Sequence, residues 1–279
     1  MKRGFGERLQ RAFGREELAP ARGSAPAGAL RDALVRRRQR ESRSAPVVEL
    51  PAGETIENER GTCYLRTLRY PLDHRHGDAP LQCALDVDRE RLAVLAKDPA
   101  VGSLDLSECL FLDTETTGLS GGAGTIVFMT GLGYFTAGEF VLEQTFLRSY
   151  SEEPAALFHV KRRLTQHPQL VTFVGKSFDR HRLAARMAVH RLRSRVLSPK
   201  HLDLYYVARR AFRDHDLPNV RLQTLERHRL GVHRPDDLPG AEAPVAFLDW
   251  IRDGSGPVDR VFEHNRLDVL SLVTLLGSL

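Results

Sequence analysis

Cysteine is scarce in this chain. Cys63, Cys83 and Cys109 are the three in 279 residues, and no two form a C-x-x-C pair. An odd, widely spaced set excludes a disulfide framework and a cysteine zinc site. It indicates no catalytic cysteine and fits reduced thiols in a cytoplasmic protein. Long apolar runs are also missing. No stretch approaches the roughly 18 residues of a membrane-spanning helix, and Met1-Lys2-Arg3 is not followed by the apolar segment of a secretory signal. No membrane partner is expected. Lysine is rare, five residues against 36 arginines, a bias that carries no mechanism by itself.

The chain does have a strongly uneven charge. Residues 1–46 hold twelve basic side chains against five acidic ones, a net +7, so residues 47–279 carry −2 of the +5 total. The basic character belongs to the tail and the remainder is nearly neutral, which weakens any nucleic-acid argument drawn from overall charge. Phe5, Leu9, Ala12 and Phe13 fall at helical spacing, and Arg36-Arg37-Arg38-Gln39-Arg40 is a dense positive block. This segment is either a solvated, disordered tail or an arm that touches nucleic-acid phosphates or docks a protein partner.

Residues 47–105 read as a small N-terminal extension packed on the main domain. Cys63–Leu68 alternates like a strand and Leu85–Leu95 reads as a helix. From residue 106 the pattern sharpens, and 42% hydrophobic residues support a core. Cys109–Leu112 predicts a buried strand, Thr125–Phe135 a second broken by Gly131 and Gly133, and Glu139–Leu147 a third across a Thr136-Ala137-Gly138 hairpin. A helix over Glu153–His167, a strand over Leu170–Val174, a helix over Phe178–His190 and a short strand ending at Asp203 follow. The order predicts an α/β protein with a mixed five-stranded sheet flanked by helices.

The most informative stretch is Phe111-Leu112-Asp113-Thr114-Glu115-Thr116-Thr117-Gly118. An apolar strand runs into two carboxylates spaced i, i+2, which point to one face. Like charges at the edge of a core repel and are costly to desolvate. A divalent cation removes both penalties, and hard oxygen ligands suit Mg²⁺ or Mn²⁺. The alternative is a strand followed by a polar turn.

Two further carboxylates match that pair. Asp179 closes Val174-Gly175-Lys176-Ser177-Phe178-Asp179 where a strand passes into a helix. It is either a ligand at the carboxyl edge of the sheet or, with Ser177, a helix cap. Lys176 there either meets a phosphate or is a solvated turn residue. Asp268 shares a helix face with His264, four residues earlier, and interrupts the apolar stripe of Val261 and Leu272. It is either a ligand or half of an intrahelical pair. Asp203 is a helix N-cap or a fifth acidic neighbour. Together, four carboxylates on these elements make a two-metal phosphodiesterase centre plausible, with His264 near the attacking water as a general base.

Asp113-Thr114-Glu115-Thr116-Thr117-Gly118, Phe178-Asp179 and His264-x-x-x-Asp268 resemble the three exonuclease motifs of the DEDD superfamily, 3′→5′ exonucleases with a ribonuclease H-like fold. The Gly121-Gly122-Ala123-Gly124-Thr125 loop, Gly175–Asp179, Leu225-Glu226 with Leu230-Gly231, and His264-Asn265 are similar to bacterial YprB-like ribonuclease H-like proteins. The resemblance covers residues 106–279. It implies that Asp113, Glu115, Asp179 and Asp268 hold two divalent cations, Mg or Mn, and that His264 occupies the base position. It also implies that the backbone of Thr117 and Gly118 contacts the 3′-terminal nucleotide; with Lys176 and Phe178 they are the candidate residues for binding a single-stranded 3′ end of DNA or RNA. The alternative is a catalytically weak or inactive ribonuclease H-like module that binds nucleic acid or a partner.

Three features depart from the pattern. The four-residue spacing of His264 and Asp268 is that of the branch that uses Tyr. The position of Val174 is often Asn in YprB-like sequences. The glycine loop at 121–124 lacks the Gly-Lys-Ser/Thr of a P-loop and reads as a hairpin beside the substrate groove.

Overall fold

The computed structural model describes residues 48–118, 124–192, 200–213 and 217–279. The basic tail and residues 119–123 of the glycine loop lie outside the described residues. The strands are β1 (Glu54–Asn58), β2 (Gly61–Pro71), β3 (Arg75–His76), β4 (Ala79–Pro80), β5 (Cys109–Thr116), β6 (Val127–Thr136), β7 (Glu139–Phe146), β8 (Gln169–Thr172) and β9 (Lys200–Asp203). The helices are α1 (Arg89–Ala96), α2 (Glu153–Gln166), α3 (Asp179–Val189), α4 (Leu204–Ala211), α5 (Leu222–Leu225), α6 (Ala243–Asp253) and α7 (Val258–Gly277).

The main sheet has the order β1-β2-β7-β6-β5-β8-β9. Along it β1, β2, β7, β6 and β5 pair antiparallel, β8 joins β5 in parallel and β9 joins β8 in parallel, while β3 and β4 form a separate antiparallel pair. The mixed α/β sheet is as expected, but it has seven strands rather than five. The extra two come from the N-terminal segment, where β2 pairs with β7 from Tyr64↔Phe146 to Pro71↔Glu139. The alternation of Cys63–Leu68 signalled a strand; its partner, some 75 residues away, left no local signal. The helix expected over Leu85–Leu95 begins later, at Arg89. Asp88 caps it by accepting from the Glu90 and Arg91 amides, and Leu81–Leu85 is a 3₁₀ turn.

Each face of the sheet carries a helical layer. Leu110, Leu112 and Leu132 pack with Leu157, Val160 and Leu164 of α2 and Leu183 and Met187 of α3. On the other face Phe111, Phe140 and Leu142 pack with Val269, Leu272 and Val273 of α7. Burying each such side chain is worth about 1.5–3 kcal/mol. Strand β6 is continuous through Gly131 and Gly133 rather than broken. The glycines serve the approach of α7: a Cβ on Gly131 would come within 2.8 Å of Val269 Cγ2 and closer still to Asn265 Oδ1. This close approach brings α7 down onto the carboxylates of β5.

Candidate active site

Strand β5 runs four residues further than its apolar core, so Asp113, Thr114 and Glu115 lie within the sheet. Asp113 pairs across the ladder with Gly131 and faces α7, where Asn265 Nδ2 donates to its Oδ2 at 2.8 Å. Asn265 cannot turn its amide the other way, because its Oδ1 accepts from Gln144 Nε2 at 2.9 Å. Gln144 also donates to the Phe262 carbonyl at 2.8 Å. Thr114, between the two acids, donates to Asp179 Oδ1.

Asp179 is the first residue of α3. The N-cap position, Phe178, makes no side-chain cap hydrogen bond, and the Asp179 carboxylate accepts from its own backbone amide. The turn that delivers it is strained. Val174 has φ +64°, a left-handed conformation that a β-branched residue rarely adopts. Asp203 holds the turn there. It accepts from the amides of Val174 at 2.8 Å and Lys176 at 3.0 Å, as well as from Tyr205 at 3.2 Å at the start of α4. It is therefore the N-cap that was expected, and the brace of the neighbouring turn as well. Burial pushes its carboxyl up to about 6, against the pull of those amides.

On α7, His264 Nε2 lies 3.5 Å from Asp268 Oδ2 and 3.9 Å from Glu115 Oε1. Its Nδ1 bonds Asp237 at 2.8 Å. Arg234 Nη1 pairs with Asp268 Oδ1 at 2.7 Å and with Asp237 Oδ2 at 3.3 Å, and its Nη2 pairs with Glu226. The short segment Arg234-Pro235-Asp236-Asp237 thus grips both α7 side chains. The structure brings Asp113, Glu115, Asp179, Asp268 and His264 together. Thr117 and Gly118 follow at the end of β5. Thr117 Oγ1 accepts from the Ile126 amide at 3.0 Å, closing the loop that starts there. Lys176 and Phe178 lie in the turn before Asp179, with the Arg182 guanidinium 5.0 Å above the Phe178 ring.

Six acids meet here, counting Asp237 and Glu226, against the cations Arg182, Arg234 and His264. The imbalance is visible in the titration of the cluster. Desolvation, reinforced by Asp268, Glu115 and Asp179, holds Asp113 well above the carboxylate range. Burial carries Glu115 to about 8 despite the pull of His264, and Asp179 to about 7 despite its bond from Thr114. Burial opposes the charging of His264, but Asp268, Asp237 and Glu115 outweigh it and raise the imidazole to about 10. These carboxylates favour the protonated form of His264.

Hard oxygen donors with surplus negative charge are the donor set that Mg²⁺ or Mn²⁺ prefers. Among the described residues, however, no three His, Cys, Asp or Glu side chains stand at ligating separations. Asn265, Thr114 and Arg234 each hold one of the carboxylates, and the chemistry of the donor set fits the cations.

A sequence model of the RNase H superfamily matches residues 110–279, which include every one of these groups. The chain belongs to the RNase H superfamily. The antiparallel β7-β6-β5 half and the parallel β8-β9 half are its ribonuclease H-like sheet. The chain is also 32% identical over 218 residues to the uncharacterized protein YprB of Bacillus subtilis (strain 168). That match covers 76% of this chain and 52% of YprB, so the chain spans about half the length of that relative. No helix among the described residues is long and apolar enough to cross a membrane.

Sequence reasoning missed Arg234 and Asp237. Their signal was present as an Arg and two acids in a proline-bounded segment, but nothing local ties that segment to α7. Asn265 was noticed as part of a motif without its role beside Asp113.

Proposed function

We propose that this RNase H superfamily protein is a metal-dependent 3′→5′ exonuclease that hydrolyses phosphodiester bonds at single-stranded nucleic-acid ends. The observation that carries the reading is the convergence of the buried Glu115 and Asp179 with the half-buried Asp113 and Asp268, from β5, α3 and α7, at one place with more negative charge than the protein's own cations offset. Those four side chains would hold two Mg or Mn ions. Bound there, the pair supplies activation of water and stabilisation of the leaving oxygen. His264 handles the proton at Nε2, with Nδ1 fixed by Asp237. It becomes a base only when the charges of Asp268 and Glu115 that hold its proton are offset. Thr117, Gly118, Lys176 and Phe178 line the approach for a 3′-terminal nucleotide.

The test is digestion of matched end-labelled DNA and RNA strands with Mg²⁺ or Mn²⁺. Mononucleotide release that Asp113→Ala abolishes is expected. The reading fails if neither strand is shortened, or if the substitution leaves cleavage unchanged.

One observation favours a second reading, a non-catalytic nucleic-acid or partner-binding module: Asn265, Thr114 and Arg234 already satisfy three of the four carboxylates. Such a module binds oligonucleotides without shortening them, with or without cations.

A further inference from the structure

Arg234 is the residue the proposed chemistry leaves unexplained. Its side chain is 5% exposed, and it reaches three carboxylates on three different segments. Glu226 lies in the π-helical turn after α5, Asp237 in the same loop as Arg234, and Asp268 on α7. The first two have no place in the proposed metal set. The third does.

A buried guanidinium cannot be left without a counter-charge, and a buried carboxylate cannot either. The Arg234–Asp268 pair answers both needs, and it does so with the planar fork that only arginine offers. The same pair makes Asp268 a contested ligand. Any cation that recruits Asp268 meets a positive group already 2.7 Å from its Oδ1.

We propose that Arg234 is a positioning residue that competes with divalent metal for Asp268, holding this carboxylate until a cation takes it over. The inference rests on the metal-dependent reading of the acid cluster. Arg234 keeps two partners when it releases Asp268, since Glu226 and Asp237 remain beside it. A cavity of about 210 Å³, lined by Glu226, Arg234, Asp237, Gln223 and Gly240, adjoins the guanidinium and gives it room to move. Its Nε is buried without a hydrogen-bond partner, so it is not locked on every side. Asp113, by contrast, is held by a neutral donor, Asn265, which a cation displaces with no charge repulsion.

Two measurements test this without any nucleic acid. The first is Mn²⁺ binding, read as free ion by electron paramagnetic resonance, in wild-type protein, Arg234→Met and Arg234→Lys. With the competing charge gone, Arg234→Met is expected to bind Mn²⁺ at least about tenfold more tightly, and Arg234→Lys to return toward the wild-type affinity. Equal or weaker binding by a folded Arg234→Met overturns the proposal and leaves the phosphodiesterase reading standing. Absence of binding in all three proteins overturns both.

The second measurement needs no substitution and holds if Arg234→Met does not fold. Mg²⁺ is titrated into wild-type protein while the arginine side-chain nitrogens are followed by NMR. The Arg234 resonances are expected to move in step with cation saturation. Resonances that stay fixed through saturation overturn the proposal.

Discussion

Asn265 Nδ2 donates to Asp113 Oδ2 at 2.8 Å, linking the carboxylate that β5 pushes out of the sheet to the helix that closes over it. The bond is possible because β6 carries glycine at 131, directly across the ladder from Asp113. A side chain there would occupy the space of the Asn265 amide.

Two substitutions isolate that relationship. Asn265→Ala removes the donor and leaves Asp113 and Gln144 without their buried partner, at a cost of about 1–3 kcal/mol in urea unfolding. Gly131→Ala keeps the donor but forces α7 outward, and is expected to cost about as much through overpacking. If Gly131→Ala unfolds at the wild-type midpoint, α7 does not depend on that close approach.

The strained turn before Asp179 makes a separate prediction. Val174 is buried, so loss of its side chain alone should cost about 2–3 kcal/mol. Glycine relieves the left-handed conformation, worth about 1–2 kcal/mol. Val174→Gly is therefore expected within about 1 kcal/mol of wild type. Asp203→Ala releases three backbone amides at once and is expected to cost at least about 3 kcal/mol. Calorimetric midpoints for both variants check the pair.

Acid stability should depend on the opposite face of the sheet. Glu143 on β7 is buried, which would raise its carboxyl. Bonds from His159 and Arg163 outweigh this and lower it to about 2. A depressed carboxylate contributes stability that is full above its unfolded value, about 4.3, and is lost as pH falls toward 2. The contribution at neutral pH is on the order of 3 kcal/mol. Glu143→Gln should flatten the melting-temperature profile between pH 5 and about 2. An unchanged acid limb would remove Glu143 from the account.

The acid cluster should act in the reverse direction. Glu115, raised to about 8, and Asp179, raised to about 7, favour the fold in their protonated forms. Their contribution is lost as pH rises from about 4 through those values. His264, raised to about 10, adds stability that is present below its unfolded value of about 6.5 and lost as pH rises toward 10. Both trends point the same way, so chelator-treated protein should lose thermal stability steadily from pH 5 to pH 9. Saturating Mg²⁺ should reduce that slope, because ionised carboxylates are then favoured in the fold. A slope indifferent to Mg²⁺ would contradict this.

Local pattern made the β5 carboxylates, the helix face of His264 and Asp268, and the turn before Asp179 legible, because each is encoded within a few residues. The two extra strands were not legible, since β2 finds β7 through register across a long separation. Arg234 and Asp237 were hidden for a similar reason: ion pairs between a loop and a helix have no period. Val174 shows a subtler limit. Its departure from Asn was visible, but its meaning appears only with φ at +64°, a conformation Asn tolerates far better than Val.

The strands β1 and β9 that border the main sheet are short, with five and four residues, whereas β7 has eight. Short borders present few unpaired amides and carbonyls to other chains. Trimming the protein to residues 106–279 would strip away β1 and β2 and bare the β7 ladder that now pairs from Phe146 to Glu139. Such a fragment would keep all the site carboxylates yet offer a template for edge-to-edge association, an edge that the N-terminal strands cover in the full chain.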